Sequence, residues 1–191
     1  VSWRFKDFLQ AVKGLDERAF LDTYPFPLIM SEGLVSNSAS GKLAHAESGT
    51  KKLGTVEELA AATANSDTDD AWVVPVRRKE TSKLRIVTVG RGEECDIRIA
   101  HPLVSKRHAY FTEDAEGWLI ADAQSTNCTF ADGDRLEPLT PRRLQDSIAL
   151  RFGPAVKYRF FGPRAFHAYC IMRLRMKEGG EPPKTRRVPK P

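Results

Sequence analysis

The residues best suited to chemistry fall in four short blocks along the chain. They are Val89-Gly90-Arg91-Gly92, Cys95-Asp96-Ile97-Arg98-Ile99, Val104-Ser105-Lys106-Arg107-His108-Ala109 and Asp122-Ala123-Gln124-Ser125-Thr126-Asn127-Cys128-Thr129-Phe130. Arg91 offers a planar guanidinium that can give two parallel hydrogen bonds to one oxyanion. Ser105 adds a compact hydroxyl and Lys106 a rotatable point charge. Asn127 carries both a donor and an acceptor, which suits the N–H and C=O of an extended peptide. A phosphate group, with about −1.5 to −2 charge and three strong acceptor oxygens, matches such a set. These groups bind an anion without attacking it. No positioned base or activated nucleophile accompanies them, so the expectation is a binding protein and not an enzyme.

Other chemistries find little support. Cys95, Cys128 and Cys170 are widely spaced, with no Cys-x-x-Cys or Cys/His cluster, so neither a disulfide framework nor a metal is expected. Gly90-Arg91-Gly92 begins a dinucleotide-like pattern, yet Cys95 stands at the third glycine and no helix follows. There is no Gly-x-x-x-x-Gly-Lys-Ser/Thr loop and no Gly-x-Ser-x-Gly. No cofactor and no small-molecule substrate are therefore expected. Asn127-Cys128-Thr129 satisfies the glycosylation sequon, which is read as accidental because no secretory signal is visible.

The elements around the blocks alternate short runs of Val, Ile, Phe and Tyr with turn signals, the texture of an all-β sandwich. Candidate strands are 72–77, 84–89, 96–99, 109–113, 118–122, 129–130, 148–152 and 157–161. Asp132-Gly133 is a two-residue hairpin signal. Most connections are short, which predicts antiparallel neighbours. Each block then sits at a strand end or in a loop, where a sandwich gathers its ligand-binding segments.

Gly-Arg after an early strand, an Asp-x-x-Ile strand, Ser-x-x-His and Ser-x-Asn followed by Thr make residues 84–153 resemble the forkhead-associated (FHA) family. The resemblance implies an FHA-type β-sandwich of about eleven strands whose loops at one end bind a phosphothreonine peptide. By position, Arg91 and Ser105 are implied to hold the phosphate, and Lys106 occupies a further contact position. Thr126 and Asn127 are implied to contact the phosphoresidue and the adjoining backbone. Gly90, His108 and Ser125 are implied to support the site, His108 by bracing the loop that carries Ser105. The implied partner is a phosphothreonine-containing protein, a Ser/Thr kinase or its substrate, in signal transduction. The alternative is an FHA-shaped scaffold or oligomerisation protein that works through its flanks without phosphate. Two positions depart from the family pattern. Cys128 stands where a Gly is usual, so a positive φ there would cost on the order of 1–2 kcal/mol and could reshape the loop that holds Asn127. Gln145 replaces a Gly before Asp146.

Outside this stretch, residues 4–22 show partial helical periodicity interrupted at Gly14, with Ser2 as a candidate cap. They predict one or two short amphipathic helices. Tyr24–Met30 contains two prolines and suits an extended arm or edge strand. After Gly162, Pro163 can open a helix that Gly179-Gly180 would end; Phe166, Tyr169, Cys170 and Leu174 would share its face. The alternation 171–175 also permits a strand. The expected organisation is an N-terminal helical and extended arm (1–30), a flexible linker rich in Ser, Ala, Gly and Thr (31–70), an FHA domain (71–162) and a C-terminal helix with a basic tail (163–191). The linker carries a weak helical signal at 56–64. It also carries Thr68 beside Asp67, Asp69 and Asp70, a candidate self-recognition site if phosphorylated.

The 191 residues are 41% hydrophobic and 29% charged, with a net charge of +5, ordinary values for a globular protein. Seven Lys or Arg against two Glu over 173–191 carry that excess. It describes a tail, and nucleic acid is not the expected partner. No apolar run reaches the roughly 18–20 residues that span a bilayer, so no membrane contact is expected and the expected location is cytoplasmic.

Overall fold

The computed structural model describes residues 2–32 and 69–179. Most of the expected linker, its weak helix, Thr68 and the tail beyond 179 lie outside the described residues. In chain order the elements are β1 (Trp3–Arg4), α1 (Phe5–Val12), α2 (Glu17–Thr23), β2 (Leu28–Ser31), β3 (Trp72–Pro75), β4 (Val87–Gly90), β5 (Ile97–Arg98) and β6 (Ala109–Asp114). They continue with β7 (Gly117–Asp122), β8 (Thr129–Ala131), β9 (Asp134–Arg135), β10 (Arg142–Arg143), β11 (Ala149–Phe152), β12 (Val156–Phe161) and α3 (Pro163–Lys177). Twelve strands are thus present among the described residues, where about eleven were implied.

They form two sheets, one of seven strands in the order β1-β3-β2-β12-β11-β8-β9 and one of five in the order β10-β7-β6-β4-β5. Alternating apolar residues meet between them. Val87 and Val89 of β4, Phe111 of β6 and Ile120 of β7 pack with Ile29, Leu150, Phe152 and Phe160 of the larger sheet. Asp132-Gly133 forms the expected hairpin turn: both residues have positive φ, at 50° and 88°, and join β8 to β9. That is the turn whose twist matches the flanking strands.

The antiparallel expectation fails at one place. β4 and β5 pair in parallel, Val89 beside Ile97 and Gly90 beside Arg98. A parallel partner normally needs a long crossover. This ladder is only two residues long, about 7 Å of strand, a length that the six residues between β4 and β5 can retrace. Asp96 fastens the turn by accepting from the Thr88 N–H and hydroxyl and from the Lys79 N–H, each at 2.8 Å.

Leu28–Ser31 is not an edge strand. It lies inside the larger sheet, between β3 and β12. All four residues are buried, because α1, α2 and α3 cover the sheet face that turns away from the sandwich. Ile29 points into the inter-sheet core, while Leu28 and Met30 join a second cluster with Phe5, Phe8, Phe20, Val73, Phe161, Phe166 and Tyr169. Where one or two short helices were expected over residues 4–22, two are present, divided by Gly14 at φ 89°. Ser2 does not cap the first: Trp3–Arg4 pairs with β3 as a strand, and Arg4 takes the cap position without a side-chain capping bond. Asp16 caps α2, accepting from the Ala19 N–H at 2.8 Å. Residues 163–177 are helical rather than extended, with Phe166, Tyr169 and Cys170 buried.

Candidate functional site

Three connections come together at one end of the sandwich: the turn after β4, the long loop between β5 and β6, and the loop between β7 and β8. The first two dock through the backbone. The Arg91 N–H donates to the Ser105 carbonyl at 2.9 Å, and the Gly92 N–H donates to the Lys106 carbonyl at 3.1 Å. Gly90 makes this approach feasible. A Cβ there would stand 2.2 Å from the Lys106 carbonyl oxygen, far inside contact distance. The Cys95 thiol donates to that same oxygen at 3.1 Å.

The third loop joins through side chains. Ser105 Oγ accepts from the Thr126 N–H at 3.1 Å and lies 3.5 Å from its hydroxyl. Beneath them His108 is fully buried and spans both loops. Its Nδ1 accepts from the Ser105 N–H at 3.0 Å, so the ring proton sits on Nε2, which donates to the Cys128 carbonyl at 3.1 Å. Burial lowers the His108 pKa below its ordinary 6.5, against the opposing pull of that carbonyl and of Asp122. The ring is neutral, and only a neutral ring can accept at Nδ1.

Asp122, to which the sequence pattern assigns no role, organises the loop between β7 and β8. Buried at 1% exposure, it accepts from the Ser125 N–H at 2.9 Å, the Ser125 hydroxyl at 2.6 Å and the Thr129 hydroxyl at 2.6 Å. Its signal in the sequence is the Asp-x-x-Ser spacing, which favours a local side-chain-to-backbone turn.

Cys128 has φ 60°. The left-handed conformation is kept despite the Cβ, and the neighbours explain how. The Cys128 carbonyl is held from two sides, by His108 Nε2 and by the Gly153 N–H at 2.9 Å. Asn127 is tied down as well, one of its amide hydrogens going to the Leu103 carbonyl at 2.9 Å. Its other amide hydrogen and its oxygen are left for a ligand.

All five residues expected to bind are therefore brought to one end, with the three expected to support them just behind. Arg91, Lys106 and Thr126 are exposed; Ser105 and Asn127 are half-buried. The Arg91 and Lys106 side chains make no hydrogen bond or ion pair among the described residues, so two cationic donors stand free on the two loops that dock at Ser105 and Lys106. Such an arrangement suits a doubly charged oxyanion. No group of three or more His, Cys, Asp or Glu among the described residues is placed to hold a metal ion, and no described helix is long and apolar enough to cross a membrane.

A sequence model of the FHA domain matches residues 87–153. The chain carries an FHA domain. The match begins with β4 and ends just after β11, so it takes in all three site loops and leaves out α1–α3, β1–β3 and β12. No curated protein matches the chain. Solved FHA structures resemble it over 47% of its length. One, from work on phosphothreonine-dependent FHA interactions, is 25% identical, matches over 82% of its own chain and has a TM-score of 0.38. The FHA domain of an Arabidopsis thaliana hypothetical protein is 22% identical over 73% of its chain, at 0.41. That of the CT664 protein from Chlamydia trachomatis is 18% identical over 83%, at 0.39.

Proposed function

We propose that this chain binds phosphothreonine-containing segments of a partner protein through the loop end of its FHA domain. The observation that carries this reading is the pair of unneutralised cations, Arg91 and Lys106, beside Ser105 and Thr126. Arg91 grips the phosphate in bidentate fashion, Ser105 and Thr126 donate hydroxyl hydrogen bonds, and Lys106 adds charge. Asn127 bonds the peptide backbone with the amide atoms left free by its bond to Leu103. Gly90, His108, Ser125 and Asp122 hold the three loops in register. The partner is a Ser/Thr kinase or a kinase substrate, which places the protein in signalling, and a cytoplasmic location fits that role.

The phosphate-independent scaffold reading draws on the apolar flanks. Their largest side chains, Phe5, Phe8, Phe20 and Phe166, are all buried within the chain itself, so they are not available to a second protein. Titrating a degenerate phosphothreonine peptide library, and its dephosphorylated form, against wild type and Arg91→Ala tests the proposal. Binding should need both the phosphate and Arg91. Equal binding by the two proteins, or by the two forms of the library, defeats it.

A further inference from the structure

An open groove of about 480 Å³ runs away from the loop end along the outer face of the smaller sheet. Ser105, Lys106 and Thr126 line it, but Arg91 and Asn127 do not. It therefore adjoins the proposed phosphate position through Ser105, Lys106 and Thr126 without taking in Arg91 or Asn127. Thr88 of β4 lies directly across from Tyr110 of β6 on its floor, and Ile86 and Leu84 extend the floor beyond β4.

Two properties of this groove differ from an ordinary sheet face. Leu84, in the segment just before β4, is 48% exposed, one of three large apolar side chains left exposed among the described residues. The rim carries Lys106 and Arg107, both exposed, and no acidic residue lines the groove. Neither side chain has a hydrogen-bonding or ionic partner among the described residues. An apolar floor under an unbalanced cationic rim is complementary to a segment that carries apolar and acidic side chains together.

We infer that this groove is a specificity site, which takes the stretch of the partner on one side of its phosphothreonine and selects an apolar residue flanked by Asp or Glu. This rests on the phosphothreonine reading and deepens it. Continuity through Ser105, Lys106 and Thr126 lets one extended chain occupy both places. The apolar residue covers Leu84, Ile86 and Tyr110, while the acidic residues pair with Lys106 and Arg107.

The test uses the full chain and two sets of synthetic phosphothreonine peptides. One set carries Asp/Glu and Leu/Ile/Phe at varied positions on either flank; the other has Gly and Ser flanks. Wild type should prefer the acidic-apolar flank on one side only, by about tenfold, and the preference should shrink with added salt. The double variant Leu84→Ser/Arg107→Glu changes two exposed side chains and should fold normally. It should lose the preference while binding the Gly/Ser-flanked peptides as wild type does. A flat flank profile alongside intact Arg91-dependent binding overturns this inference and leaves the phosphothreonine reading standing. The inference is overturned equally if the double variant weakens both peptide sets alike, or if it dissolves a dimer of the chain without changing peptide preference. Failure of every phosphothreonine peptide to bind wild type overturns both.

Discussion

At the loop end, Arg91 and Lys106 stand in solvent without a partner among the described residues. On the helix-covered face of the larger sheet, Phe5, Phe20, Phe166 and Tyr169 have no exposure at all. The first region hangs on β4–β8 and the second on β2, β3 and β12, and their materials are opposite. The first is a set of polar loops clamped from beneath by His108 and Asp122. The second is a closed aromatic cluster in which Phe166 lies 5.2–6.2 Å, centroid to centroid, from Phe5, Phe8, Phe161 and Tyr169. The loop end keeps the Arg91 and Lys106 cations uncommitted, which adds little stability. The aromatic cluster does the reverse. On the proposed function, binding and folding fall to separate parts of one scaffold, and substitutions can test that separation.

The largest effect should come from Phe166→Ala. Removing a buried aromatic ring costs about 3–5 kcal/mol, a fall in Tm on the order of 10 °C for a chain of this size. The folded fraction should still bind phosphothreonine peptide with wild-type affinity, as calorimetry below the new Tm would show. Lost affinity in that fraction would tie the two regions together. Arg91→Ala is the mirror experiment. Loss of a bidentate, charge-assisted contact should weaken peptide binding by about 100-fold, with Tm almost unmoved because the side chain is exposed.

Asp122→Ala crosses the divide. It orphans the Ser125 N–H and the Ser125 and Thr129 hydroxyls, and an unsatisfied buried group costs about 1–3 kcal/mol. Stability and peptide affinity should fall together, measured by denaturant titration and by binding. A loss confined to stability would mean that the loop carrying Thr126 and Asn127 does not depend on Asp122.

His108 supplies a pH signature. Its folded pKa lies below the ordinary 6.5, so the unfolded chain takes up the proton first as pH falls. The stability it contributes is complete above 6.5 and declines as pH drops from there through the depressed folded value. A Tm-versus-pH curve should show that decline, and His108→Gln should flatten it. An unchanged slope in the variant would assign the acid sensitivity elsewhere.

The smallest effect is a gain. Cys128→Gly relieves the left-handed strain of about 1–2 kcal/mol but gives back about 0.5–1 kcal/mol in unfolded-chain freedom. A net stabilisation of up to about 1.5 kcal/mol should appear in denaturant titration. No gain would mean that the paired hold on the Cys128 carbonyl already absorbs the strain.

Much of the loop end was legible in the sequence, because its information is local. Every candidate strand has a strand in the structure, and the Asp132-Gly133 turn follows from the φ freedom of those two residues. Less was legible where an element is too short to show a period. β1, β9 and β10 have two residues each, and no alternation can be read from two positions. The continuous apolar run of β2 was compatible with an arm or an edge, since periodicity shows which side is apolar and not what covers it.

By itself, the sequence determined the β texture, the turn positions and the identity and order of the donors Arg91, Ser105, Lys106, Thr126 and Asn127. Residue type and spacing set these things. Tertiary structure alone decided that β2 is interior, that β4 and β5 run parallel, and that Phe5 meets Phe166. It alone placed one neutral imidazole, His108, between the loop of Ser105 and the loop of Cys128. These are contacts between separate elements and loops, which only packing selects from the many partners that an apolar or polar side chain would accept.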